Sequence, residues 1–243
     1  MKNREIVLDL EDTKAQIIYH CFKETKVKTF LISFAAKRKV LSTLEGFKKV
    51  RYVANHYNPP ELWDFVHKNK KGYEKRIYAD LKLKPGDVAM LFTGVDMDNL
   101  SIKREKYGDF RVYACVTAGA KSNAQRIGVD KAGSVEKEEG EFERLGTVNI
   151  IVLTNASLTV GAMARSIITI TEAKVIAFQD RDIGSSYNPR IQATGTGTDN
   201  IVVVPGIGPG ISYVGGHTKA GELMAKAVTS AVKEAILKQN GEH

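Results

Sequence analysis

A chain of 243 residues, 43% hydrophobic and 26% charged, has the composition of an ordinary soluble domain and the length to bury a core without covalent staples. It holds no run of 18 apolar residues, so no spanning helix is expected, and its opening MKNREIVLDLEDTK lacks an apolar leader, so the expected location is the cytoplasm. The net charge of +8 is concentrated in residues 1–110, with 22 Lys+Arg against 15 Asp+Glu, but the clusters at 37–39, 48–49 and 68–71 lack interleaved aromatic residues; they read as solvated surface, not as a nucleic-acid interface.

The first 50 residues predict strands at EIVLDL, QIIYHCF, VKTFLISF and KRKVLST, short β-branched runs with partial alternation. FKKVRYVANHY extends the pattern until Asn58-Pro59-Pro60 stops it. The prolines open a helix at ELWDFVHKNK, and GYEKRIYADLKLKPG continues as a second helical piece up to Pro85-Gly86. DVAMLFTG and FRVYACVTAG read as central strands. Cys115, inside the second, reads as a buried inert thiol; with Cys21 it forms no CxxC pair, so neither a disulfide nor a cysteine zinc site is expected. Residues 129–145 are polar and turn-rich, a surface excursion or hairpin. TVNIIVLTN is nearly continuously apolar, as a strand covered on both faces should be.

A long helix is expected over about 157–180. Both Met163, Ile167, Ile170 and Val160, Ala164, Ile168 keep helical spacing, which predicts wide burial. NIVVV is the last core strand, and a final helix over 218–238 starts from Thr218 as N-cap, burying Ala220, Leu223, Ala227, Ala231 and Ile236. The expected fold is α+β (or α/β), a mixed β-sheet with these two long helices packed on it. The expected organisation is one domain over 1–243, with a β-rich half over about 1–110 and a half richer in motifs over about 111–243.

Strands tend to end in small polar steps: FTG at 92–94, VTAG at 116–119 and LTN at 153–155. If these ends cluster, they form a rim suited to a ligand rich in amide oxygens. TGTGTD at 194–199 alternates flexible glycines with hydroxyls, so its backbone N–H groups can cradle an oxyanion; a structural turn is the plainer reading. It is neither a P-loop, since no GK[ST] follows, nor a dinucleotide loop, since a strand follows instead of a helix. Asp199 either caps that turn or takes part in chemistry. His217, in YVGGHTKAG ahead of the last helix, is the first candidate proton shuttle and His56, in VANHYNPP, the second. Glu172 and Lys174 lie two apart on the long helix and so on different faces, and Glu172 closes a very apolar stretch.

VTAGAKSNAQRIG, GTVNIIVLTNASLTVGAMARSIITITEAKVIAF, ATGTGTDNIVVV and YVGGHTKAGELMAKAV, in this order, resemble the adenosylcobinamide amidohydrolase family (CbiZ); VANHYNPP and MLFTGVD extend the likeness into the N-terminal half. The resemblance implies hydrolysis of the amide joining the aminopropanol arm to the corrin ring of adenosylcobinamide, giving adenosylcobyric acid and 1-amino-2-propanol in cobinamide salvage toward cobalamin. It implies His217 or Glu172 as base, Asp199 orienting the histidine or the water, and Lys174 protonating the leaving amine or anchoring a carboxylate. Gly195, Thr196, Gly197 and Thr198 would form the oxyanion loop, and Asn55, His56, Asn149, Asn155 and Thr117 would contact the peripheral amides. No protein-bound cofactor or metal is expected; cobalt arrives within the substrate. The expected partner is the corrinoid alone, without nucleic acid or membrane, and a homo-oligomer is left open. Two alternatives stand beside this: a corrinoid-binding protein without catalysis, and a self-processing amidohydrolase whose nucleophile is Thr154 or Ser157.

Overall fold

The computed structural model describes residues 2–132 and 147–241. Most of the charged excursion expected at 129–145 therefore lies outside the described residues.

In chain order the strands of the first part are β1 (Lys2–Ile6), β2 (Thr13–Phe22), β3 (Thr25–Ser42), β4 (Gly46–Tyr57) and β5 (Val88–Thr93), with helices α1 (Trp63–Lys68) and α2 (Lys70–Asp80) between β4 and β5. Then come β6 (Ser101–Tyr107), β7 (Phe110–Ala118), the short β8 (Ala124–Gln125), β9 (Val148–Thr154) and β10 (Ala156–Leu158). Helix α3 (Val160–Asp180), β11 (Gly195–Thr196), β12 (Asn200–Val204), β13 (Gly208–Ile211) and helix α4 (Lys219–Asn240) complete the chain.

Nine of the strands hydrogen-bond into one sheet. Parallel pairs (β9 with β12, β4 with β5) sit among antiparallel ones, which is the mixed sheet expected from the sequence. The sheet folds over on itself. Along β7, Val112, Ala114, Val116 and Ala118 face α3 and α4, together with Val148, Ile150 and Val152 of β9. The alternate residues Tyr113, Cys115, Ile151 and Leu153 face Ile17, Phe30, Ile32, Val53 and Leu91 of the first leaf. The outer face of that leaf packs Val27 and Ala54 against Tyr73, Ile77 and Leu83 in and after α2. Four layers result: α1 and α2, a leaf of β1 to β5, a leaf of β6, β7, β9 and β12, then α3 and α4. Period-two alternation supplies both cores from the same strands.

Four sequence expectations change. VKTFLISF and KRKVLST are one 18-residue strand, β3, whose register with β4 shifts between Ser33 and Arg38. That irregularity bends β3, so its first half pairs with β2 and its end, at Leu41 and Ser42, with β12. β6 was not anticipated, because SIKREKY reads as polar; it is a charged edge strand paired with β7. The long helix starts at Val160, not 157, because Ala156–Leu158 pairs with β13; Thr159 is the N-cap, its hydroxyl accepting from Ala162 N–H at 3.2 Å. Wide burial of α3 is also corrected: Met163 and Ile170 are buried, but Val160 and Ile168 are about half exposed, since only one face meets the sheet and α4. In α4 the Thr218 cap and the five predicted core positions are as expected.

Candidate active site

TGTGTD folds as a clamp closed by its own carboxylate. Asp199 accepts from Thr196 N–H at 3.0 Å (Oδ2) and from Val148 N–H at 3.0 Å (Oδ1), and it is bonded by the Thr196 hydroxyl and by the Lys174 ammonium. Both members of the Lys174–Asp199 pair are about nine-tenths buried. Gly195 is required for close approach: a Cβ there would run into Asp199 Oδ2 and Lys174 Nζ and lie 3.0 Å from Lys174 Cε. Gly195 and Thr196 are buried, pairing with Gln125 and Ala124, whereas Gly197 and Thr198 are exposed at the tip. Asp199 is thus saturated with donors. It orders the loop and the cation.

The expected polar rim forms in part. Asn55 Nδ2 donates to Thr117 Oγ1 at 2.9 Å, and Asn149 Nδ2 donates to Asn55 Oδ1 at 2.8 Å and to the Phe92 carbonyl at 2.9 Å. These contacts join β4, β5, β7 and β9 across the two leaves at the end where β5 finishes in Thr93-Gly94 and β7 in Ala118-Gly119. LTN lies at the far end of β9, where Asn155 holds a turn: its Oδ1 accepts from Arg111 N–H at 2.8 Å and its Nδ2 donates to the Asp109 carbonyl at 2.7 Å. Asn55, Asn149 and Thr117 are 1% exposed or less and satisfy one another's polar groups across the two leaves. Beside them a cleft of about 100 Å³ opens between Trp63, Gly94, Val95, Gly119 and Lys121. Its floor adjoins the start of β9, because Gly119 N–H donates to the Thr147 carbonyl at 3.3 Å. The sequence signal for the cleft was the pair of strand-end glycines; Trp63 and Thr147 stand in no motif that points to it.

His217 and Glu172 do not join this cluster. Asp199 precedes β12, while 205–217 follows it, so the two residues lie at opposite ends of a five-residue strand, roughly 17 Å long. The 208–218 segment closes on the N-terminal part of α3, with Thr159 N–H donating to Ile211 O at 3.1 Å and Thr169 Oγ1 to Val214 O at 2.9 Å. A Cβ on Gly215 would contact His217 and Arg165, and Arg165 is nine residues before Lys174, roughly 13 Å along the axis. Glu172 is exposed on α3, on a different face from buried Lys174, as their spacing required. Thr154 also lies at the far end, its hydroxyl accepting from Ala156 N–H at 2.8 Å, and Ser157 lies beyond it in β10.

His56 is wholly buried in a relay. His20 Nε2 and Thr29 Oγ1 are 3.0 Å apart, Thr29 Oγ1 and His56 Nδ1 2.7 Å, and His56 Nε2 and the Tyr73 hydroxyl 2.8 Å. Burial holds both imidazoles below the ordinary histidine value, His56 strongly, aided by His20; for His20 the Asp80 carboxylate opposes the shift. Both rings are therefore neutral when folded, and the unfolded chain takes up their protons first. Stability should be level above about pH 6.5 and fall below it by up to about 1.4 kcal/mol per pH unit for each ring. Melting temperatures between pH 7.5 and 5 check this, with His56→Gln expected to flatten the slope. An unchanged melting point down to pH 5 would refute it.

Comparison with known proteins supplies the remaining constraint. The uncharacterized protein MJ1613 of Methanocaldococcus jannaschii is 51% identical over 250 residues, covering 97% of this chain and 98% of its own. The adenosylcobinamide amidohydrolase of Methanosarcina mazei is 28% identical over 209 residues, 79% of this chain and 85% of that one. Among solved structures, a beta-aminopeptidase from Burkholderia aligns with a TM-score of 0.48 at 10% identity, over 95% of this chain and 84% of that one. The sequence pattern of one family matches residues 12–243, from β2 through α4 and so across all four layers, and the chain belongs to that family, the adenosylcobinamide amidohydrolases (CbiZ).

Proposed function

We propose that the protein hydrolyses the amide between the aminopropanol arm and the corrin ring of adenosylcobinamide, releasing adenosylcobyric acid and 1-amino-2-propanol for cobinamide salvage. The observation that supports this best is the family match over 12–243, which takes in every element that builds the polar end of the fold. The cleft there has room for about three waters' worth of atoms, so it suits a slender amide arm while the macrocycle stays outside.

Amide cleavage needs charge stabilisation for the tetrahedral oxyanion and a proton for the departing amine. Lys174, held by Asp199, is the cation assigned to the oxyanion, and Gly197 and Thr198 at the exposed tip contact the substrate. Asp199, Gly195 and Thr196 position Lys174; Asn55, Asn149 and Thr117 hold the strand ends. His217 and Glu172 take no part in this scheme. Among the described residues the groups at this end are hydroxyls, amides and one carboxylate already engaged by Lys174, so we assign no resident metal, and cobalt enters with the corrinoid. Mass spectrometry after incubation with adenosylcobinamide is expected to find the acid and aminopropanol in equal amounts, undiminished by EDTA. Recovery of intact substrate would reject the activity and leave a corrinoid-binding protein. EDTA loss restored by zinc would reject the metal-free assignment.

A further inference from the structure

Thr147 immediately precedes β9, the strand that lies between β7 and β12, and it stands where the cleft, the interleaf clamp and the Asp199 loop meet. Its carbonyl accepts from Gly119 in the cleft wall, its neighbour's N–H holds Asp199, and its hydroxyl is directed at the Thr198 carbonyl, with Asn149 Oδ1 3.4 Å away. The residue is 5% exposed. Both contacts use the hydroxyl as donor, and among the described residues no donor reaches the oxygen. Other hydroxyls at this end are differently engaged: Thr196 bonds to Asp199, Thr117 accepts from Asn55, and Thr93 accepts from Val95 N–H at 3.0 Å. Thr154 and Ser157, the hydroxyls singled out in the sequence, are at the far end of the strand. A rigid strand start, a buried hydroxyl reached by no described donor and an adjoining arm-sized cleft are what a nucleophile requires.

We propose that Thr147 Oγ1 is the nucleophile of this site, an inference that rests on the amide-hydrolysis reading above. The oxygen adds to the amide carbonyl carbon, the C–N bond breaks, and the hydroxyl hydrogen leaves on the amine nitrogen. A corrinoid ester of Thr147 remains. Water then adds to the ester, releases the carboxylic acid and returns a hydrogen to Oγ1. The Lys174 ammonium, held through Asp199 one residue along the strand, stabilises the oxyanion of both steps. Asn149 and Asn55 are positioning residues that fix the strand start.

The test follows two products separately. With adenosylcobinamide and added hydroxylamine, the wild-type protein is expected to release aminopropanol at its usual rate while part of the acid is replaced by the hydroxamate. Thr147→Val should lower amine release on the order of 1,000-fold or more, and Thr147→Ser should restore much of it. Amine release with acid as the sole corrinoid product in hydroxylamine, or a Thr147→Val variant of normal rate, overturns the nucleophile and leaves the hydrolase reading standing. No amine from the wild type overturns both. If Thr147→Val does not fold, the wild-type hydroxylamine partition alone decides.

Discussion

Asp199→Ala is expected to destabilise the protein by about 3–5 kcal/mol, because it strands the Lys174 ammonium in a site about nine-tenths buried. It also removes the acceptor for Thr196 N–H and Val148 N–H, so the loop loses its anchor to the start of β9. Asp199→Asn should recover little, since its amide nitrogen would turn a donor toward Lys174 or Thr196, which are donors themselves. Combining Asp199→Ala with Lys174→Met should return much of the stability, because no unpaired charge remains, but not the activity. Urea unfolding midpoints give the first comparison and aminopropanol release the second. A loss below about 1 kcal/mol for Asp199→Ala would mean that solvent screens the pair as at an exposed surface, and the clamp would then not order the site.

The second large effect reverses a propensity rule. Glycine inside a helix usually costs about 1 kcal/mol relative to alanine, so Gly→Ala in α3 or α4 should stabilise. At Gly161, in the first turn of α3, a Cβ meets nothing within 4 Å, and Gly161→Ala should stabilise by up to about 1 kcal/mol. At Gly221, in the first turn of α4, a Cβ would run into the carbonyl oxygens of Gly215 and Val214 and lie 2.5 Å from the Gly215 carbonyl carbon. These are backbone atoms and cannot swing aside, so Gly221→Ala should cost roughly 1–3 kcal/mol or more despite the better helix former. It should also shift the 214–218 segment from α3, where Val214 O accepts from Thr169. Thermal melting of the two variants decides. If both stabilise, the approach of α4 to that loop is looser than its geometry indicates.

How much of this was legible in the sequence depends on which interactions set each element. β9 and α4 were readable because their patterns are local: a run apolar on both faces, and a capped amphipathic helix. The strand-end glycines pointed correctly to a shared polar end for β5 and β7. The loop from Gly195 to Asp199 was recognised, but not that Asp199 is consumed by four donors, because one comes from α3 and another from β9. His217 looked like a base because histidine has the suitable acidity; its separation from Asp199 follows from the direction of β12, which composition does not carry. The burial of Asn55 and Asn149 was not legible, because buried amides and exposed ones are spelled alike. β6 was hidden by its charges, which mark an edge and not a loop. Thr147 was read only as the first letter of a strand.

The bend in β3 ties the whole molecule into one cooperative object. Leu41 and Ser42 pair with Val203 and Val202, and Thr43 exchanges hydrogen bonds with Ile201, so neighbours in the sheet are about 160 positions apart in the chain. Contacts that distant close slowly, since the intervening loop must first be gathered in. On the ribosome, the end of β3 has to wait, with its backbone groups unsatisfied on that side, until nearly all of the polypeptide has emerged. A strand that serves both leaves thus makes the closing of the sheet one of the last steps after synthesis.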